Sequence, residues 1–168
     1  APTLPDGLEI TMVGDLVSRP YLMMTLKIME YFGVSHSWIG QTIIVGPQKY
    51  KAKNFFVEAD WSSASYYYII AAVANKVDIT LAGLQKDSLQ GDSAIAMIGN
   101  SFGLQTEYIG NSIRITNSGN PREEFFEYDF INCPDIAQSV STMAAGTGVS
   151  ALFTGLQTLR IKETDRIA

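Results

Sequence analysis

Apolar positions in this chain recur at two spacings, and the switch between them marks out strands and helices in alternation. Leu8 to Val13 is a short, β-leaning stretch. Ser18 then offers an N-cap hydroxyl, with Pro20 in the first turn, where a missing N–H costs little. The helix this predicts carries Tyr21, Met24, Leu26, Ile28, Met29 and Phe32 on a broad apolar face, and Gly33 stands where a left-handed C-cap glycine belongs. Val34 to Trp38 and Thr42 to Val45, parted by Gly40 and Gln41, predict a hairpin. A strand over Asn54 to Glu58 and a helix from Ser62 or Ser63 to about Ala74 come next. The signals then return as a strand over Thr80 to Leu84, a helix near Asp92 to Ser101, and strands around Thr106 to Tyr108 and Ser112 to Thr116. A last strand over Phe125 to Phe130 leads into a helix over Asp135 to Ala145.

The return is a true repeat. Sliding the sequence along itself by 70 positions sets Phe32-Gly33 on Phe102-Gly103, Ile39-Gly40 on Ile109-Gly110 and Ile43 on Ile113. Five identities in fourteen positions are weak alone, but Gln41-Thr42 over Asn111-Ser112 and Val45 over Ile115 keep the polarity pattern too. Ala82-Gly83-Leu84-Gln85 over Thr154-Gly155-Leu156-Gln157, at an offset of 72, gives a third and partial copy. This period is too long for ankyrin or tetratricopeptide arrays. The unit it implies is β-α-β-α-β-β, an α/β (α+β) architecture, with the first unit cut before its opening half and the third inside its second helix. Lys49 to Lys53, polar and lysine-rich, is the candidate linker, and the main boundary falls near Val57, giving segments 1–57 and 58–168.

Composition narrows the picture. At 168 residues, 46% apolar and 17% charged, the chain has ample material for a buried core and is neither disordered nor collagen-like. Twelve Lys and Arg against seventeen Asp and Glu, a net charge of -5, lack the basic excess of a nucleic-acid binder, so an anionic substrate needs a local basic pocket. The longest apolar run, Tyr66 to Ala74, is far below the roughly 18 residues of a membrane span. One cysteine, Cys133, excludes an internal disulfide framework, and no secretory leader is visible, so a cytoplasmic location is expected. The chain starts without Met and ends on what reads as an opening helix, which points to a piece of something longer.

Charge is concentrated where chemistry is expected. Arg160 to Arg166 packs five charges into seven residues after a β-like Ala151 to Gly155 and opens a helix, whose unpaired N–H groups attract anions. Lys162 offers a compact cation and Arg166 a planar fork; the plain alternative is a solvated turn in which both bridge to Glu163 and Asp165. Asp135, after Asn132-Cys133-Pro134, stands as a helix N-cap, the ordinary role for such an aspartate. Beside a cation and a substrate hydroxyl it would instead accept a proton. Strand-end loops of successive units face the same way, so the Asp135 and Lys162 loops are expected to share a cleft. Asp60-Trp61-Ser62-Ser63-Ala64-Ser65 holds the matching place one unit earlier, its serines read as caps before a phosphate-binding role. Tyr66 to Ile70 predicts a buried helix rather than a stacking platform, and His36 surface filler. One His and one Cys leave neither a His/Cys zinc site nor a Cys-His pair, and no Walker loop or G-x-G-x-x-G is present.

Leu-Arg-Ile-Lys-Glu-Thr-Asp-Arg-Ile over 159–167 resembles the signature of the 5-enolpyruvylshikimate-3-phosphate synthase family, the 3-phosphoshikimate 1-carboxyvinyltransferases. Gly14 to Tyr21, Val57 to Tyr66, Leu89 to Asp92 and Pro134-Asp135 resemble it in the same order. The resemblance implies two domains of three β-α-β-α-β-β units each, of which this chain would hold the last part of one, a crossover near Glu58 and about half of the other. It also implies transfer of the enolpyruvyl group of phosphoenolpyruvate to the 5-hydroxyl of shikimate 3-phosphate, with no metal or organic cofactor. On that resemblance Asp135 is the carboxylate beside the reacting hydroxyl, Lys162 contacts shikimate 3-phosphate near it, and Glu163 exchanges protons with the methylene. Arg166 is similar to an arginine that clamps phosphoenolpyruvate, Ser18 to the serine that binds the shikimate phosphate, and Tyr21 lies beside Ser18. Where the family often carries an amide four residues before the lysine, this chain has Thr158. An early lysine, an arginine-bearing stretch and a late basic segment of the family are absent, so the piece alone is expected to be catalytically silent and its parent monomeric. Two alternatives stay open at this point: the related enolpyruvyl transferase acting on UDP-N-acetylglucosamine, and a non-catalytic repeat scaffold.

Overall fold

The computed structural model describes residues 1–119 and 121–167. The chain divides into two compact units, Ala1–Val57 and Glu58–Ala168. In the first, β1 (Leu8–Thr11), α1 (Arg19–Tyr31), β2 (Ser37–Ile39) and β3 (Thr42–Val45) build an antiparallel sheet in the order β1-β3-β2. Leu26 of α1 closes on Val34, Ile43 and Val45, with Met12, Leu22, Met29 and Trp38 around them. Gly40 and Gly33 both take positive φ, 60° and 85°, which only glycine adopts at little cost.

The second unit contains α2 (Trp61–Val73), β4 (Asp78–Ala82), α3 (Ile95–Ile98), β5 (Leu104–Ile109), β6 (Ser112–Asn117), β7 (Phe125–Asp129), α4 (Ala137–Thr147) and β8 (Ser150–Thr154). Its sheet β4-β6-β5 copies the order of β1-β3-β2, and the hairpins share a register: Ser37 faces Ile44 as Glu107 faces Arg114, 70 positions on. The first strand is displaced by 71 instead, since Ile10 faces Ile43 while Leu81 faces Ile113. Strands β7 and β8 run parallel on either side of α4 in sequence, a β-α-β crossover. α2 packs on α4, joined by the buried hydroxyl pair Ser65 and Ser139 at 2.7 Å. Between helices and sheet lie Trp61, Tyr68, Ile95, Phe102, Ile113, Ile115, Phe130 and Met143, each almost wholly buried. Each such burial contributes about 1.5–3 kcal/mol. Burial also drives the Tyr68 phenol far above its ordinary pKa, although Thr106 hydrogen-bonds it at 2.7 Å.

The third copy is visible in the turns. Gly83 (φ 86°) follows β4 where a Cβ would meet Ala59, and Gly155 (φ 71°) follows β8 where one would meet Ile131; both pairs are related by 72 positions. Neither site has room for a Cβ without displacing its neighbour.

Several elements differ from expectation. Ser18 occupies the N-cap position of α1, but its φ of 57° is left-handed and its hydroxyl makes no capping bond. The strand expected over 54–58 forms no ladder; Phe55, Phe56 and Val57 are exposed, and Ala59 N–H meets the end of β4 at Gly83 O, 2.8 Å away. β-Propensity without a partner strand leaves an extended chain. The helix expected near Asp92 is one α-turn between tightened 3-10 turns, Gly91–Ala94 and Gly99–Phe102. α2 is apolar on all sides, yet Tyr66, Tyr67, Ile70 and Val73 are exposed, so the expectation of a wholly buried helix holds for one face only. His36 is no surface filler: its side chain is 10% exposed, with Nδ1 3.4 Å from Glu30 Oε1. Among the described residues no helix is long and apolar enough to cross a membrane.

α2 starts one residue before the expected serines, because Asp60 caps it, accepting from Ser62 N–H at 3.0 Å, Ser63 N–H at 3.1 Å and Ser63 Oγ at 2.6 Å. Partial burial disfavours the Asp60 carboxylate, but these donors outweigh it and hold its pKa below 3.8. A depressed carboxylate stabilises the fold above its unfolded pKa, and the contribution disappears as pH falls through the lower folded value. Asp60→Ala should therefore cost about 1 kcal/mol in urea unfolding at pH 7. The gap between wild type and variant should narrow as pH falls through the lowered titration of Asp60 and close once its carboxyl is protonated; a gap that persists in acid would discount the cap.

Candidate functional site

Asp135, Lys162, Glu163 and Arg166 come together in the second unit. Asp135 does not serve as the expected N-cap: Ile136 holds that place in α4, and Asp135 lies inside the preceding 3-10 turn Pro134–Ile136, which starts after Cys133. Its carboxylate meets Lys162 Nζ at 3.0 Å and Arg166 Nη1 at 3.2 Å, both on Oδ1. The three side chains are about a quarter exposed, which shields their attraction from water and strengthens it over that of a surface pair. Glu163 projects outward, 78% exposed, and takes Arg166 Nη2 at 2.6 Å. Its own backbone N–H and then Arg166 keep the Glu163 carboxyl below the ordinary range, while Glu163 raises the Arg166 guanidinium.

The basic segment does not open a helix among the described residues. The chain makes the 3-10 turn Gln157–Ile161 and then irregular backbone to Ile167, with Arg166 N–H returning to Leu159 O at 2.9 Å. This return brings Arg166 beside Lys162 over Asp135. The plain alternative of local bridging is realised in part: Arg166 pairs with Glu163 and Arg160 approaches Asp165 at 3.8 Å, but Lys162 reaches across to Asp135.

These groups line a cleft of about 580 Å³ together with Ser62, Tyr66, Gln138 and Thr164. Sequence reading missed the first three as cleft residues, although spacing could have found them. Ser62 and Tyr66 are four apart on α2, and Gln138 is three after Asp135, so each pair shares a helix face. Ser62 Oγ donates to the carboxylate of Asp92, which is 1% exposed. A second buttress stands behind α2: Glu58 accepts from Trp61 Nε1 at 2.8 Å, Gln85 N–H at 2.9 Å and Ser88 Oγ at 2.7 Å. Gln90 accepts from Trp61 N–H at 2.9 Å and donates to Ala59 O at 2.8 Å. Thr158 is not among the lining residues, and its Oγ1 is buried without a hydrogen-bond partner among the described residues. Cys133 is buried, which pushes its thiol up to about 12, so at neutral pH it is no nucleophile. Among the described residues no group of three or more His, Cys, Asp or Glu is placed to hold a metal ion.

Ser18 and Tyr21 belong to the other unit. Ser18 stands in the left-handed conformation just before α1, its carbonyl accepting from Tyr21 N–H at 3.1 Å, and neighbouring Arg19 lies 4.8 Å over the Trp38 ring. A non-glycine residue at positive φ costs of order 1–3 kcal/mol and is often found where a side chain must be aimed.

The model of the EPSP synthase (3-phosphoshikimate 1-carboxyvinyltransferase) family matches residues 1–168. The chain belongs to the EPSP synthase family. It is 46% identical over 167 residues to a 3-phosphoshikimate 1-carboxyvinyltransferase of Bacteroides fragilis (strain YCH46), covering 99% of this chain and 40% of that protein. It is 34% identical over 174 residues to one from Methanosphaera stadtmanae, and 35% identical over 179 residues to the chloroplastic one of Arabidopsis thaliana, of which it covers 34%. The chain thus spans about 40% of the length of the two Bacteroides fragilis relatives it matches. Neither the UDP-N-acetylglucosamine enzyme nor a bare scaffold is favoured by these matches.

Proposed function

We propose that this chain supplies one half of the site of a 3-phosphoshikimate 1-carboxyvinyltransferase, acting in aromatic amino-acid biosynthesis in the cytoplasm as a monomer. Residues 1–57 are the last part of its first domain, and 58–168 a complete unit and part of the next in its second. The observation that carries the reading is the Asp135 carboxylate held between Lys162 and Arg166, with Glu163 on the same rim.

The reaction needs a base for the 5-hydroxyl, a proton for the methylene carbon of phosphoenolpyruvate, and cations for two phosphates and two carboxylates. Asp135 takes the hydroxyl proton as the oxygen bonds to C2 of phosphoenolpyruvate. Glu163 delivers a proton to C3, giving a tetrahedral intermediate, and takes one back as phosphate leaves and the double bond reforms. Lys162 holds shikimate 3-phosphate near the hydroxyl and limits charge build-up on the forming ether oxygen. Arg166 grips phosphoenolpyruvate, while Ser18 and Tyr21 serve the shikimate phosphate. Arg166 is shared between Asp135 and Glu163. An anion that draws Arg166 away removes one cause of the low Glu163 pKa and moves that carboxyl towards proton donation.

An isotope-labelled chain titrated with shikimate 3-phosphate should show saturable amide shifts at Ser18 and Lys162. Spectra unmoved by millimolar ligand would reject the reading.

A further inference from the structure

We infer that the hollow at the C-terminal end of α1 is a binding site for a small aryl carboxylate, whose ring lies on Phe32 and Tyr50 and whose anionic end meets Lys51. The inference concerns residues 1–57 alone and does not depend on the proposed transferase function.

The distribution of charge sets this place apart. The chain has a net charge of -5, yet no Asp or Glu occurs between Glu30 and Glu58, while Lys49, Lys51 and Lys53 fall within five residues. Among the described residues none of these three lysines is in an ion pair, whereas Lys27 on α1 meets Glu30 at 2.8 Å. Lys53 lies 5.1 Å from the centre of the Tyr31 ring. A local excess of positive charge in an acidic chain attracts an anion.

Beside these lysines lies a hollow of about 510 Å³, lined by Ile28, Met29, Phe32, Tyr50, Lys51 and Ala52. Its size is that of a small-molecule site. Its walls are held in place by contacts of their own. Phe32 is braced by Tyr31, edge-on at 5.3 Å, and by Phe55 at 5.8 Å, while the Tyr31 hydroxyl donates to Asn54 O. Lys51 N–H donates to Phe32 O at 2.7 Å, and its stem runs over Gly33, where an added Cβ would stand 3.0 Å from Lys51 Cδ. With backbone and stem already fixed, Lys51 has less rotamer freedom to lose when an anion arrives.

The lining selects the guest. A neutral apolar molecule would leave the charge of Lys51 unanswered, and a small inorganic anion would leave Ile28, Met29 and Phe32 wet. An anion joined to an apolar body satisfies both. The Phe32 and Tyr50 rings favour a flat aromatic body through offset or edge contacts. Lys51, the one charged residue of the lining, presents a compact single charge that matches a carboxylate.

The test titrates the chain, with labelled Ile and Met methyl groups, with 3-phenylpropionate, 3-phenylpropan-1-ol and acetate, read by NMR. The acid should shift the methyl signals of Ile28 and Met29 saturably and leave that of Met143, in the core of the second unit, in place. Acetate should shift none of them, and the alcohol should bind about 5-fold more weakly than the acid. Lys51→Met keeps the stem and should bring the acid down to the affinity of the alcohol, while Lys51→Arg preserves the difference; thermal unfolding checks that both variants fold. Equal affinity of the unaltered chain for acid and alcohol would reduce the hollow to a non-selective apolar surface. A Lys51→Met chain that melts earlier yet still prefers the acid would assign Lys51 to the negative end of α1 instead. Either result, or methyl signals unmoved by millimolar acid, overturns the inference and leaves the proposed function standing.

Discussion

Asp135→Asn, placed in a transferase of the relatives' full length that carries this segment, is expected to lower turnover by about 10²–10⁴-fold, the usual worth of a positioned acid or base. The exchange keeps shape and removes the proton acceptor. It also leaves Lys162 and Arg166, both within 3.2 Å of the carboxylate oxygen, facing one another without an anion between them. An incoming anionic substrate relieves that repulsion, so shikimate 3-phosphate should bind at least as tightly as before. The expected pattern is a collapse in kcat with KM unchanged or lower. A variant that turns over normally but binds poorly would assign the carboxylate to binding, and Asp135 would cease to be the base.

The parts of this fold that sequence made legible are those in which local chemistry and repeat symmetry agree. Gly33, Gly40 and the hairpin register recur 70 residues later because each copy has the same turn to close. The meeting of Asp135 with Lys162 followed from the same symmetry, since β7 and β8 run parallel and their C-terminal ends point one way. What sequence could not supply was the competition for each polar group. Asp135 looks like an N-cap until two cations reach it from 27 and 31 positions away. Ser62 looks like a helix cap, but Asp60 caps α2 and the Ser62 hydroxyl donates to Asp92, 30 positions on. The stretch after Gln157 has the composition of a helix start, but the contact of Arg166 with Asp135 and its return to Leu159 bend it out of helical register. In each case a long-range charge interaction overrides a local preference of about 1 kcal/mol or less.

Gly155→Ala is expected to destabilise the chain by about 3 kcal/mol or more. Two costs coincide. The position needs φ of 71°, which an alanine meets with roughly 1–2 kcal/mol of strain. Its Cβ would also overlap the Asp129 carboxylate and the backbone of Ile131, neither of which can yield freely: Asp129 accepts from Ile131 N–H at 3.0 Å and its backbone is registered against Thr154 of β8. Gly110→Ala separates the two, because Gly110 has φ of 59° and nothing within 4 Å of its Cβ position, so it carries backbone strain alone. Urea unfolding should place Gly155→Ala well below Gly110→Ala, with Gly83→Ala between them, since its neighbour is the Ala59 methyl at 3.0 Å. Equal losses at all three would mean that the parallel pair can open at no cost. The loop leading to Lys162 and Arg166 would then not be anchored by the close approach of β8 to Ile131, and the cleft would owe its geometry to the ion pairs alone.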